Sequence, residues 1–200
     1  GVMLINNEVI EHIYDENSVE NEIIEALRDN RVEVFYQPIY NTKTHKFTSA
    51  EALVRIRSRE GNIIPPGMFI AVAEKRGLIL RLGERVFEIV CRFIVQHDIH
   101  AMGIEYIECN LSVVQCAYDH LAQDFIAIME KYHVDANDIV LEITESASIT
   151  EKKILLDNMN ALRKVGVRFA LDDFGTGQSN LSNIVDMPID IVKLDRAMTN

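Results

Sequence analysis

VRFALDDFGTG, residues 167–177, is the stretch on which the fold turns. Val167, Phe169 and Leu171 alternate with Arg168, Ala170 and Asp172, the period of a β-strand. The strand ends in Asp172 and Asp173, and a Gly-Thr-Gly segment follows. On its N-terminal side, Leu155, Met159 and Leu162 repeat at helical spacing, with Thr150 placed to cap the helix and Gly166 to stop it. On its C-terminal side a short helix is expected near 178–185, then a second strand, IDIVKL, at 189–194. Helix, strand, helix, strand is the rhythm of a parallel α/β sheet.

The rhythm extends back to residue 32. Strands are expected at 32–39 (VEVFYQPI), 47–56 (FTSAEALVRI), 105–111 (EYIECNL) and 139–144 (IVLEIT). Helices are expected near 67–76, 83–97, 113–132 and 150–164. In helix 83–97, Glu84, Glu88, Arg92 and Gln96 make a polar stripe opposite Val86, Val90, Phe93 and Ile94, and Glu88 is spaced to pair with Arg92. A further helix over 19–29 is expected, capped by Ser18, with Ile23, Ile24 and Leu27 on one side. The pattern implies a doubly wound sheet or a (β/α) barrel.

Several of these strands carry a polar residue able to bind metal at or near the C-terminal end: Glu51, Asn110, Glu142, then Asp172 and Asp173; Lys193 follows on the last, with Asp195 two residues beyond. A lone strand glutamate is ordinarily a solvent-facing residue, and Asp-Asp before Gly is ordinarily turn chemistry. Recurrence at strand after strand is different, because strand ends of an α/β sheet converge on one face where ligands bind. Carboxylates gathered there repel, and a hard divalent cation such as Mg²⁺ or Mn²⁺ offsets the repulsion. Asp172 and Asp173 are placed to bridge two ions, which suits phosphoester chemistry. Lys193 is placed to hold a nucleophilic water or to neutralise developing charge. Arg55 shares a strand face with Glu51 and can fork onto a phosphate.

The chain has 200 residues and a formal net charge of −11, which argues against DNA or RNA as a partner. Its three cysteines, Cys91, Cys109 and Cys116, lack zinc or disulfide spacing and read as reduced thiols. The most apolar run, Val86 to Val95, is broken by Glu88 and Arg92 and is too short to span a bilayer. A cytoplasmic domain, or the cytoplasmic portion of a membrane-tethered protein, is expected.

The motifs together resemble the EAL domain of cyclic-di-GMP phosphodiesterases. They are YQPIY and SAEALVRI around Glu51, PPGMFIAVAEKRGLI at 65–79, CNLS at 109–112, LEITES at 141–146, LDDFGTGQSNL at 171–181 and VKLD at 192–195. The resemblance implies a modified TIM (β/α)8-type barrel whose first strand is antiparallel, with about six of eight strands in this chain. It implies hydrolysis of cyclic-di-GMP to linear pGpG with Mg²⁺ or Mn²⁺. Glu51, Asn110, Glu142 and Asp172 match the metal ligands, and Asp173 the second-metal side. Lys193 matches the lysine near the attacking water, and Asp195 the acidic residue of the same motif. Gln37 and Arg55 match substrate-contacting positions, and Glu145 the anchor of the loop at 174–181.

Two departures stand out. Gln178 replaces the tyrosine usual in that loop. The later glutamate-bearing motif of the family does not occur before Asn200, so a C-terminally incomplete domain over 31–200 is expected, closing with further chain or as a homodimer and needing residues beyond Asn200 for full activity. Residues 1–30 read as a linker and N-terminal helix of the kind that follows a GGDEF or sensor domain. Two other functions fit the sequence less well: an EAL domain that binds cyclic-di-GMP without cutting it, and an enolase-like site with a lysine base.

Overall fold

The computed structural model describes residues 16–144, 152–174 and 187–194. Its centre is a seven-stranded sheet: β1 (Val32–Asn41), β2 (Lys46–Arg57), β3 (Ile63–Ile64), β4 (Tyr106–Asn110), β5 (Ile139–Thr144), β6 (Arg168–Phe174) and β7 (Ile191–Leu194). The spatial order is β1-β2-β4-β5-β6-β7, with β3 paired to β2. β1 is antiparallel to β2, and β2, β4, β5, β6 and β7 are parallel in succession. This is a TIM-barrel-like α/β sheet with its first strand antiparallel, and it is not closed among the described residues. The two-residue β3 escaped the sequence reading because two isoleucines carry no period.

β1 and β2 run antiparallel because a four-residue turn joins them. Asn41 Oδ1 accepts the N–H groups of Lys43 (2.9 Å) and Thr44 (3.2 Å), and His45 takes a left-handed φ of 55°. The parallel strands β2, β4, β5 and β6 are joined in turn through helices, which returns the chain to the same end each time. The described helices are α1 (Glu16–Arg28), α2 (Ile70–Lys75), α3 (Ile79–His97), α4 (Val113–Cys116), α5 (Leu121–Tyr132) and α6 (Lys152–Val165). None is long and apolar enough to cross a membrane.

Helices α3, α5 and α6 pack on one face of the sheet. Ala50, Ala52, Ile107, Cys109, Ile139, Leu141, Ile143, Phe169 and Leu171 point into that core and meet Phe87, Phe125, Met129, Leu155, Met159 and Leu162. Phe87 and Phe125 stack with ring centroids 4.1 Å apart. A second core joins α1 and α2 to the hairpin through Ile23, Ala26, Ile56 and Phe69. The alternate residues of the strands, Glu51, Glu108, Asn110, Glu142, Asp172 and Lys193, take the other face. All three cysteines are free and buried, and burial pushes the Cys91 and Cys116 thiols up to about 12.

Local expectations differ from the structure at four places. Ser18 lies inside α1, and Ile24 is exposed while Val19, Ile23 and Ala26 form the buried face. Glu88 pairs with Lys131 of α5 at 2.8 Å and Arg85 at 3.6 Å, a tertiary choice that displaces Arg92. α3 begins at Ile79, four residues before the expected start at 83. The single helix expected over 113–132 is two, because Asn158 of α6 enters the break: its Nδ2 donates to Cys116 O (3.1 Å) and Tyr118 O (2.8 Å), and its Oδ1 accepts from Ala122 N (3.3 Å). The expected helix at 178–185 and the Thr150 cap lie outside the described residues, whereas Gly166 ends α6 with a φ of 118°.

Asn158 is 5% exposed, so its loss leaves buried carbonyls without donors. Asn158→Ala is expected to cost about 2–3 kcal/mol in urea unfolding. A loss under about 0.5 kcal/mol would show that the break in the helix is held by other contacts.

Candidate functional site

The parallel register sets the site. Cα of Glu51 pairs with Glu108, and Asn110 with Glu142, so these four residues form two adjacent rows on the concave face. Glu51 stands midway along β2 rather than at its end, because the hairpin overshoots the parallel strands to pair with β3; on β4 it is level with Glu108, the middle residue of that strand, and its side chain reaches up to Asn110. On the far side, Leu171 pairs with Val192 and Phe174 with Leu194, so Asp172 and Asp173 share a β-bulge opposite the single residue Lys193. Bulges bend a strand and re-aim its side chains, and they recur beside active sites.

Lys193 extends across this face. Its Nζ donates to Glu108 Oε2 (3.1 Å) and to Glu142 Oε1, and lies 3.8 Å from Glu51 Oε2. Asn110 Nδ2 donates to Glu51 Oε1 at 2.9 Å. Glu142 is 1% exposed and Glu108 4%. Three carboxylates thus face one ammonium, two of them in a dry environment. The excess is relieved at Glu142, whose carboxyl is pushed up to about 9 by burial and by the neighbouring Glu108, against the pull of Lys193. Burial alone would pull Lys193 down, but Glu142 and Glu108 outweigh it and hold the ammonium more firmly protonated than usual.

Among the described residues no three His, Cys, Asp or Glu side chains stand close enough to hold an ion by themselves, and the Lys193 ammonium stands among the glutamates. Three observations nevertheless fit a divalent cation. Glu142 Oε2 is buried with no hydrogen-bond partner among the described residues. Asn110 spends its amide nitrogen on Glu51, which leaves its carbonyl oxygen as an acceptor. The donor set is carboxylate and amide oxygen, which hard ions prefer.

The other expected residues are dispersed. Gln37 is exposed and pairs with Glu51 across β1 and β2. Arg55 lies four pairs further along, opposite Glu33, its Nη1 on Val54 O (2.8 Å) and its guanidinium 5.7 Å from the Phe35 ring centroid, so it joins the same face without touching the glutamates. Asp195, Glu145 and Gln178 lie outside the described residues. Glu108 was missed by the sequence reading. Its signal was available: it precedes Asn110 by two in a strand and so shares its face.

The segment after β4 is braced from below. Ser112 caps α4, accepting from Val114 N (3.2 Å), and Gln115 Oε1 accepts in return from Ser112 N (3.1 Å). Ser112 Oγ also donates to Glu74 of α2. Gln115 is 3% exposed and lies against Gly83 of α3, where an added Cβ would come 1.8 Å from Gln115 Nε2. A cleft of about 390 Å³ opens here, with Glu51, Asn110 and Glu142 on one side and Ile70, Leu82 and Phe87 on the other.

Comparison with known proteins settles the family. The profile of the EAL domain matches residues 20–200. The chain belongs to the EAL domain family. It is 33% identical over 175 residues to "Signaling protein YkoW" of Bacillus subtilis, covering 86% of this chain and 22% of that protein. It is 32% identical over 187 residues to "Cyclic di-GMP phosphodiesterase NbdA" of Pseudomonas aeruginosa, covering 91% of this chain and 23% of that protein. The solved structure "PaMucR Phosphodiesterase, c-di-GMP complex" superposes with a TM-score of 0.79 at 29% identity, covering 90% of this chain and 72% of that one. This EAL domain therefore spans under a quarter of the length of these two curated relatives.

Replacing a mid-helix glycine by alanine ordinarily stabilises by about 1 kcal/mol. Gly83→Ala is expected to lose that gain, because the new methyl displaces Gln115 from Ser112. In a Gln115→Ala background the gain should return. Equal effects in both backgrounds, measured by urea unfolding, would disprove the coupling.

Proposed function

We propose that this EAL domain hydrolyses cyclic-di-GMP to linear pGpG with Mg²⁺ or Mn²⁺. The observation that carries the reading is the convergence of Glu51, Asn110, Glu142 and Lys193 on one face, with Asp172 and Asp173 in the bulge opposite the lysine. The names of NbdA and of the PaMucR complex support the substrate.

Glu51, Asn110, Glu142 and Asp172 would hold the first ion, and Asp173 the side of a second. When bound, the ions supply charge neutralisation at the phosphodiester and a more acidic water. The protein's own groups do the rest. Lys193, kept protonated by Glu142 and Glu108, donates hydrogen bonds to the attacking water or to the phosphoryl oxygen as its charge grows. Arg55, outside the glutamate cluster, receives the more distant phosphate, and Gln37 contacts the nucleotide from β1. Asp195 is assigned to the lysine's motif, and Glu145 to anchoring the loop at 174–181.

The proposal extends to assembly. It takes the EAL unit as 31–200 with α1 packed onto it, working as a cytoplasmic homodimer with a GGDEF-type or sensor domain upstream. One observation favours a second reading, in which the domain binds cyclic-di-GMP without cutting it: Lys193 already pairs with the carboxyls a metal would need.

Incubation with cyclic-di-GMP and Mn²⁺ should yield pGpG by chromatography, and EDTA should abolish it. Glu51→Ala should lower turnover by at least about 100-fold, as loss of a ligand at a metal centre does. Retained turnover in Glu51→Ala would refute the metal assignment. Cyclic-di-GMP binding without product in the unsubstituted protein would leave the second reading standing.

A further inference from the structure

Glu108 belongs to none of the family motif positions from which site residues were assigned, yet it lies at the centre of the cluster. It is 4% exposed, and its register partner on β2 is Glu51. A buried carboxylate without a partner is costly, so Glu108 depends on whatever cation reaches it. Among the described residues that cation is Lys193, at 3.1 Å.

The three glutamates are not equally dependent on the lysine. The Glu51 side chain is 23% exposed and also accepts from Asn110, so water and an amide serve it. Glu142 has no exposed side-chain surface and one oxygen without a partner, so a divalent ion would satisfy it better than an ammonium does. Glu108 lies beside the Glu142 carboxyl, and among the described residues Lys193 is the one cation paired with it. An ammonium and a divalent cation repel each other, so a cation held by Glu51, Asn110 and Glu142 displaces Lys193 from the two ligand glutamates. A carboxylate that is not a ligand is needed to keep the ammonium within reach.

We propose that Glu108 is that carboxylate, a positioning residue that holds Lys193 beside the cluster when Glu51, Asn110 and Glu142 engage a divalent cation. This rests on reading those three residues as metal ligands. Without Glu108, Lys193 stays on Glu142 and Glu51 and competes with the ion.

The test is a cycle read by Mn²⁺ affinity in titration calorimetry, using the whole chain as wild type, Glu108→Gln, Lys193→Met and the double variant. Glu108→Gln conserves side-chain length, and Lys193→Met removes the charge while keeping an unbranched side chain one atom shorter. The expected result is a loss of about 10-fold in affinity on Glu108→Gln when Lys193 is present, and of less than about 2-fold in the Lys193→Met background. Lys193→Met alone should bind Mn²⁺ at least as tightly as wild type. Equal losses in both backgrounds would make Glu108 a ligand or a general source of negative charge and overturn the proposal, as would no loss in either. Should Glu108→Gln fail to give the wild-type circular dichroism spectrum, Glu108→Asp replaces it, and its shortened reach is judged by the same comparison. Absence of Mn²⁺ binding by the wild type would instead remove the metal reading itself, a result distinct from any failure of the cycle.

Discussion

Lys193 reaches Glu108 across two intervening strands. In the sheet order β4 and β7 are separated by β5 and β6, and three strand spacings amount to roughly 14 Å along a flat sheet. The Lys193–Glu108 separation is 3.1 Å. Such a contact is possible only where the sheet curls so that its polar face is concave. The curl in turn needs a continuous core on the convex side, which the helices supply through Phe87, Phe125, Met159 and Leu162. The apolar core and the polar cluster are therefore two faces of one constraint: the strands that bury Ile107, Leu141 and Phe169 outward must turn Glu108, Glu142 and Asp172 inward.

The parallel β-strands were legible because period-two alternation and the branched residues that pack on a pleated surface coincide in them. β5 is found at the residues read from IVLEIT, and β6 begins one residue after the expected start. What was not legible depended on partners distant in sequence. No local signal in 113–132 announces that Asn158 will terminate one helix and start another. Glu88 and Arg92 have the right spacing for an ion pair, yet Lys131 of α5 takes the glutamate. Exposure of Ile24 follows from the direction in which α1 meets the hairpin, which its own periodicity leaves open.

The site shows the same division. The types and order of Glu51, Asn110, Glu142 and Lys193 are sequence features, whereas their relative heights are set by register. Glu51 reads as the middle of a long strand, and only its pairing with Glu108 places it within reach of Asn110 at the end of β4. Glu108 was overlooked because a charged residue inside an apolar strand reads as an edge or solvent position until strands are found on both sides of it. Gly83 stands inside α3, where a glycine is ordinarily a weakness. Its reason is the Gln115 amide lying where a methyl would be, at the end of a chain of contacts through Ser112 to Glu74 beneath the β4 end that carries Asn110.

The charge balance of the cluster decides what kind of ligand it suits. An anionic ligand approaching Glu51, Glu108 and Glu142 alone would be repelled, in a chain already at −11. A single ammonium does not reverse that, since two of the glutamates are buried and one carboxyl must hold a proton to lower the excess. Added divalent charge would reverse it, and would do so at the Glu142 oxygen that no donor in the described residues satisfies. The arrangement thus carries an electrostatic cost in the free protein that a bound cation removes. Folding alone gives no reason to bury two carboxyls around one lysine, because apolar side chains of similar volume would be less costly there. A cluster of this charge accepts added positive charge more readily than an anionic ligand approaching alone.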